Sequence, residues 1–276
     1  MNVSAMRKIP GYVIIVISIV FVEFAFTQTE LSPTTILQNM HKAYSGVISY
    51  QDSGVIEVVA DFGKYKQPMT TNFSIWFEQP TSLRVDWVRM INPLGGKKYR
   101  SVLWSNGKDT HYFSEISNEI EKKESLMMGI AAATGVSFGA ANTIPSMLLP
   151  RGYRLTAAFT MLTDLQLLGE AEFEGAQCYM ISGIQSGLDY KLWIGKADYL
   201  LRKSEYEVKS YKHMLKDVEA KMEKSKKEHK IAMPDTSMMP DFSSITREIH
   251  RNIQINQPIS DNMFTFTPPK DAKLVE

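Results

Sequence analysis

Gly135-Val136-Ser137-Phe138-Gly139 fits the spacing G-x-S-x-G. A nucleophilic serine in that pattern stands on a sharp strand-to-helix turn and needs an acid and a histidine after it. His213, His229 and His250 do follow. The residues before Ser137 are alanine-rich rather than strand-like, however, and no alternation of strands and helices surrounds them. Small residues spaced for helix packing account for the match. Ser105-Asn106-Gly107-Lys108 fits S-x-x-K, whose chemistry needs a helix start to bring Lys beside Ser; here Asn106-Gly107 makes it a hairpin turn. The histidines His41, His111, His213, His229 and His250 are scattered, with no carboxylates at metal-ligand spacing. Gly95-Gly96-Lys97-Lys98 lacks the Ser/Thr and the spacing of a phosphate loop. The sequence therefore predicts no catalytic residue, no metal and no cofactor. Cys178 stands alone, so no intramolecular disulfide can form, and its strand-like surroundings predict a buried, inert thiol.

Composition points the same way. The chain has 276 residues and a formal net charge of +1, which gives no electrostatic case for nucleic-acid binding. Sixteen methionines supply flexible, polarisable apolar surface, suited to irregular cores and to adaptable binding sites. Residues 1–27 read as an export signal: Arg7 and Lys8 begin it, Tyr12 to Val22 form a short apolar core, and Ala25 and Thr27 give cleavage-site spacing. Cleavage leaves 28–276 as a single domain in the periplasm; an uncleaved inner-membrane anchor is the alternative, although Glu23 interrupts a run already short for a span.

The elements that must position any site are mostly strands. Pro33 to Tyr44 predicts a short helix ended by Gly46. Val47 to Val59 reads as a strand bent at Gly54. In Met69 to Glu78, Phe73, Ile75 and Phe77 face one way, and past the Pro80 turn Leu83, Val85 and Trp87 repeat the alternation. Tyr99 to Trp104 and Asp109 to Phe113 form a second hairpin. Leu165 to Ala171, Cys178 to Gly183, Leu188 to Ile194 and Leu200 to Val208 read as an antiparallel meander, because such close spacing excludes parallel crossovers. Ile245 to Ile255 and Phe264 to Thr267 read as the last strands. Between the two sets of strands lies Ser125 to Pro150, without a single charged residue. Its alanines, glycines and Pro145 predict two short apolar helices, which either fill the core or plug a hydrophobic cavity. The fold class is α+β: a strongly curved antiparallel sheet, an incomplete β-barrel, with short helices over its concave apolar face. A Lys- and Glu-rich insertion at about 209–240 carries Tyr211, Leu215, Val218 and Met222 at helical spacing, predicting a charged helical arm at a hairpin tip.

Three stretches resemble the LolA-like periplasmic carriers of outer-membrane lipoproteins. Phe77-Glu78-Gln79-Pro80-Thr81-Ser82-Leu83-Arg84-Val85, with Ser105-Asn106-Gly107-Lys108 and Tyr112-Phe113, looks like the family's first hairpin and its S-D-G-K turn. Ile144-Pro145-Ser146-Met147-Leu148-Leu149 resembles its short cavity-closing helix, and Phe264-Thr265-Phe266-Thr267-Pro268-Pro269 resembles its C-terminal strand. The resemblance covers roughly residues 35 to 276 and implies a non-enzymatic carrier whose half-barrel shelters acyl chains of lipoproteins, or another lipid, on the way to the outer membrane. The residues it assigns to the hydrophobic cavity are Phe73, Ile75, Phe77, Leu83, Val85, Trp87, Tyr112, Leu126, Met127, Ile130, Met147, Leu148, Tyr190, Leu192, Phe264 and Phe266. The family closes its cover with an arginine before the proline of the first hairpin turn; here that position is Gln79, which donates hydrogen bonds without the charge or the five-donor fork. The implied partners are acylated lipoprotein or lipid and membrane-bound donor or acceptor proteins, with the carrier a monomer. The alternative is an interaction or envelope-sensing module that binds a protein partner with the same half-barrel.

Overall fold

The computed structural model describes residues 31–91, 96–154, 156–215 and 241–275. The expected export signal and residues 216–240 of the charged arm lie outside these. Helix α1 (Pro33–Ser45) starts where Ser32 accepts a hydrogen bond from the Thr35 amide and Pro33 occupies the first turn, and it ends at Gly46. Ile36, Leu37, Met40 and Tyr44 form its buried face. Six strands follow: β1 (Ser49–Asp61), β2 (Lys66–Glu78), β3 (Ser82–Ile91), β4 (Lys97–Asn106), β5 (Thr110–Ser114) and β6 (Glu119–Lys123). Helices α2 (Leu126–Val136) and α3 (Thr143–Leu148) come next. The chain then runs through β7 (Thr163–Phe173), β8 (Ala176–Gln185), β9 (Leu188–Gly195), β10 (Leu201–Val208), β11 (Ser243–Ile255) and β12 (Lys273–Val275).

All these strands belong to one sheet, in the order β12-β6-β5-β4-β3-β2-β1-β11-β10-β9-β8-β7. β1 to β6 and β7 to β11 each form an antiparallel meander, the antiparallel β1–β11 pair joins them at the centre, and β12 adds in parallel beside β6. In the described sheet β12 and β7 are the two edges and do not pair with each other, so the barrel is incomplete. Register puts Phe73 opposite Trp87, Ile75 opposite Val85 and Phe77 opposite Leu83, the apolar face that alternation predicts. One buried cluster runs from Trp87 and Tyr112 across to Ile181 and Leu192 and takes in residues of all three helices. α1 reaches the edge strand β7 while α2 lies on β4, β5 and β6, so the helices cover a single, concave face. Gly54 allows the tightest approach in the sheet: a Cβ there would lie 2.3 Å from Cζ of Phe73 and 2.2 Å from the Ile249 carbonyl oxygen.

The C-terminal stretch departs from expectation. Phe264 to Thr267 is not a strand: Asp261–Phe264 is a single 3-10 turn, and the last strand is Lys273–Val275, parallel to β6. Pro268 and Pro269 lack the N–H groups that a ladder needs. The carbonyls of Met263 and Thr265 accept instead from the Arg84 guanidinium.

Candidate functional site

The uncharged stretch lies over the sheet as two helices. The Ser125 hydroxyl accepts from the Met128 amide and starts α2. α2 sits very close to the sheet at Gly129, where a Cβ would be 2.8 Å from Thr110 Cγ2 and 2.9 Å from Leu103 Cδ1. The Ser137 hydroxyl donates to the Thr134 carbonyl at 3.2 Å and accepts from the Ala141 amide at 3.1 Å. It caps the helix in a fully buried position, so the G-x-S-x-G pattern here serves packing. α3 is buried along its whole length, with Pro145 in its first turn.

Beneath the cover the expected cavity residues meet, and they fill the space. Phe73, Ile75, Phe77, Leu83, Val85, Trp87, Tyr112, Leu126, Ile130, Met147, Leu148 and Leu192 are buried in one cluster, with Tyr190 packed against it. Among the described residues these side chains form a packed hydrophobic cluster, and a small hollow of about 120 Å³ remains beside Trp87, Tyr112 and Val136. A cleft of about 360 Å³ opens beside α2, walled by Met127, Ile130, Ala131, Ala157 and Ala158, with Thr134, Asn142, Ser146, Tyr153, Arg154, Thr156 and Gln185 among them. Of the residues assigned to the cavity, Met127 and Ile130 line this cleft.

Three assignments need correction. Phe266 packs with Trp104 and Phe113 in a separate cluster, 5.3 Å from each ring, because β4 and β5 turn Trp104 and Phe113 away from the side that carries Leu103 and Tyr112. Phe264 is buried in the 3-10 turn, outside the concave cluster. Gln79 does not close the cover: its Nε2 donates to the Val47 carbonyl at 2.9 Å, and its backbone N–H donates to the Ile48 carbonyl at 2.9 Å. Just past the end of β2 it fastens the link between α1 and β1.

A buried polar seam, which the sequence reading missed, reaches the cover instead. Alternate residues of β11, Ser244, Thr246, Glu248 and His250, are all buried. Thr143 of α3 donates to Glu248 Oε2 at 2.7 Å. His250 Nδ1 lies 2.7 Å from Asp52 Oδ2, which also accepts from the Tyr50 hydroxyl at 2.9 Å, and His250 Nε2 lies 3.4 Å from Glu248 Oε1. Burial favours the neutral imidazole, but the Asp52 hydrogen bond and the Glu248 carboxylate outweigh it and raise the His250 pKa to about 9. The imidazole has no solvent exposure. A signal existed in the sequence: Glu248 and His250 are two apart, on one face of a strand, where an apolar pair would be the ordinary occupant. Among the described residues no group of His, Cys, Asp or Glu could hold a metal ion.

No protein-family model matches the chain. No curated protein matches it. Among solved structures it is similar to MucB in complex with MucA(peri), at 11% identity and a TM-score of 0.40, over 85% of this chain; it spans 60% of that chain's length. It is similar to the Mycobacterium tuberculosis lipoprotein LppX, at 12% identity and a TM-score of 0.38, over 83% of this chain and 97% of that one. It is also similar to a LolA superfamily protein from Nitrosomonas europaea, at 11% identity and a TM-score of 0.29, over 85% of this chain and 98% of that one.

Proposed function

We propose that this protein is a non-enzymatic carrier that shelters acyl chains, of lipoproteins or of another lipid, between the concave face of its sheet and a displaceable cover. The observation that carries the reading is the cover itself: α2 and α3 contain no charged residue, lie on a continuous apolar face and leave a cleft along one side. That cleft falls within the roughly 300–1,000 Å³ of small-molecule sites. Each methylene withdrawn from water contributes about 0.8 kcal/mol, so movement of the cover that admits more of a chain is offset by added burial. The N-terminal stretch 1–27 directs the chain to the periplasm, where such a carrier works in water. Met147→Glu should abolish binding of a fluorescent fatty acid, because Met147 is buried in the cluster and an unpaired charge there is costly. Undiminished binding by a folded Met147→Glu variant overturns the reading.

A second reading, a module that binds a protein partner, draws on one observation: β7 is a long edge strand whose outer side pairs with no other strand in the described sheet. Native mass spectrometry of protein taken from its own periplasm separates the two. Bound lipid or lipoprotein supports the carrier; an empty cleft and a stoichiometric protein partner support the module.

A further inference from the structure

Arg154 lies at the cleft without a counter-ion. Its Nη1 donates to the Ser146 carbonyl at 2.5 Å, and among the described residues no carboxylate forms an ion pair with it. A second hollow, lined by Glu174, Arg202 and Arg251, makes a contrast. There Arg251 is bound by Glu174 and Arg202 by Asp198, so its cations are already neutralised. Two further polar groups near Arg154 are unmatched. Gln185 lines the same cleft, and its buried Oε1 has no hydrogen-bond partner. His41 of α1, near enough for the Arg154 charge to act on it, has a buried Nε2 without a partner. Burial first, and then the Arg151 charge, hold the Arg154 pKa below the ordinary range, and an anion beside it acts in the opposite direction by favouring the charged guanidinium.

We propose that the cleft takes a single-chain amphiphile with an anionic head, its tail along Met127, Ile130, Ala131 and Ala157 and its carboxylate or phosphate on Arg154, with Gln185 as the second polar contact. This rests on the carrier reading and names the class of cargo. The planar guanidinium retains donors beyond the one held by Ser146 and offers them to two oxygens of such a head. The Gln185 amide supplies an N–H to an ionised head or an acceptor to a protonated one. The apolar wall and the uncompensated charge lie in one cleft, and that combination matches an amphiphile better than a neutral triacyl lipid or a free ion.

The test compares a fluorescent long-chain fatty acid with its methyl ester on the full chain and on Arg154→Gln and Arg154→Lys. The unmodified protein should bind the acid at least tenfold more tightly than the ester. Arg154→Gln should erase that preference, weakening acid binding far more than ester binding, and Arg154→Lys should restore part of it. A purely structural role for Arg154 predicts equal losses for acid and ester, and that result overturns the assignment. Equal binding of acid and ester by the unmodified protein also overturns it, while leaving the carrier reading intact. Binding of neither sinks the carrier reading itself. Lysophosphatidic acid and inorganic phosphate serve as competitors: displacement by the lysolipid alone supports the amphiphile, whereas displacement by millimolar phosphate alone identifies a simple ion site and overturns it.

Discussion

His250 couples burial to charge, and its protonation state follows from the signs. Its folded pKa of about 9 stands above the ordinary 6.5, so the native state holds a proton that the unfolded chain releases. That contribution is fully present below pH 6.5 and is lost as pH rises through about 9. The shift corresponds to about 3 kcal/mol at most. Denaturant titrations at the two ends of this window should show a loss of that order, and His250→Gln should flatten the profile. The same slope in the variant would remove the imidazolium from the account. His41 has the opposite sign: burial first, then Arg154, lower its pKa, so its contribution is lost on acidification and stays outside the His250 window. Neither environment could be read from local sequence. Asp52 and His250 are 198 positions apart and meet because β1 pairs with β11. Gln79 was misassigned for a related reason: its place before Pro80 was legible, but the acceptor its amide would find was not.

At the level of elements, legibility followed alternation. β2 and β3 were readable because Phe73, Ile75, Phe77, Leu83, Val85 and Trp87 repeat with period two. β6, Glu-Ile-Glu-Lys-Lys, has one apolar residue and gave no such signal; its pairing with β5 supplies what its own sequence does not. Phe264 and Phe266 showed the opposite failure, a strand-like pattern that backbone chemistry ended. The two cover helices were legible as helices. That they lie on a filled core was not, since an apolar stretch reads alike over a core and over a cavity. Gly129 offers a way to separate those cases. Gly129→Val places side-chain atoms where Thr110 and Leu103 already stand, and overpacking of this kind costs roughly 1–3 kcal/mol. α2 should lift from β4 and β5, lowering stability and raising the association rate of a fluorescent fatty acid in stopped-flow mixing. Loss of stability without faster entry would mean that α2 is core and that the cleft is gated elsewhere.

For the molecule as a whole, the decisive join is β1 to β11, because it turns two meanders into one sheet. β11 reaches that position from the hairpin that carries the charged arm. The hairpin base is well fastened. Val208 pairs with Ser244, the Tyr211 amide donates to the Phe242 carbonyl at 2.9 Å, and the Tyr211 and Phe242 rings stack 4.5 Å apart. Phe62, from the turn between β1 and β2, adds its ring 4.9 Å from Phe242. Asp241 accepts from Ser210 Oγ and the Lys212 amide, closing the first turn of the arm. With these contacts in place, residues 216–240 need not contribute to folding. Replacing them with a short Gly/Ser linker changes loop-closure entropy by only about 0.6 kcal/mol per halving of length. The shortened protein should keep its melting temperature and its affinity for a fluorescent fatty acid. Lys216, Lys221, Lys224, Lys226, Lys227 and Lys230 are interleaved with acids, which cancels much of their attraction to an anionic bilayer. A docking role for the arm therefore calls for a protein partner in the membrane, met by the apolar residues Val218 and Met222. A solvated arm predicts unchanged delivery; a docking arm predicts normal lipid binding with delivery lost to acceptor membranes bearing their native proteins and kept to protein-free vesicles. Delivery at the normal rate to the native membranes would assign the arm no part in docking.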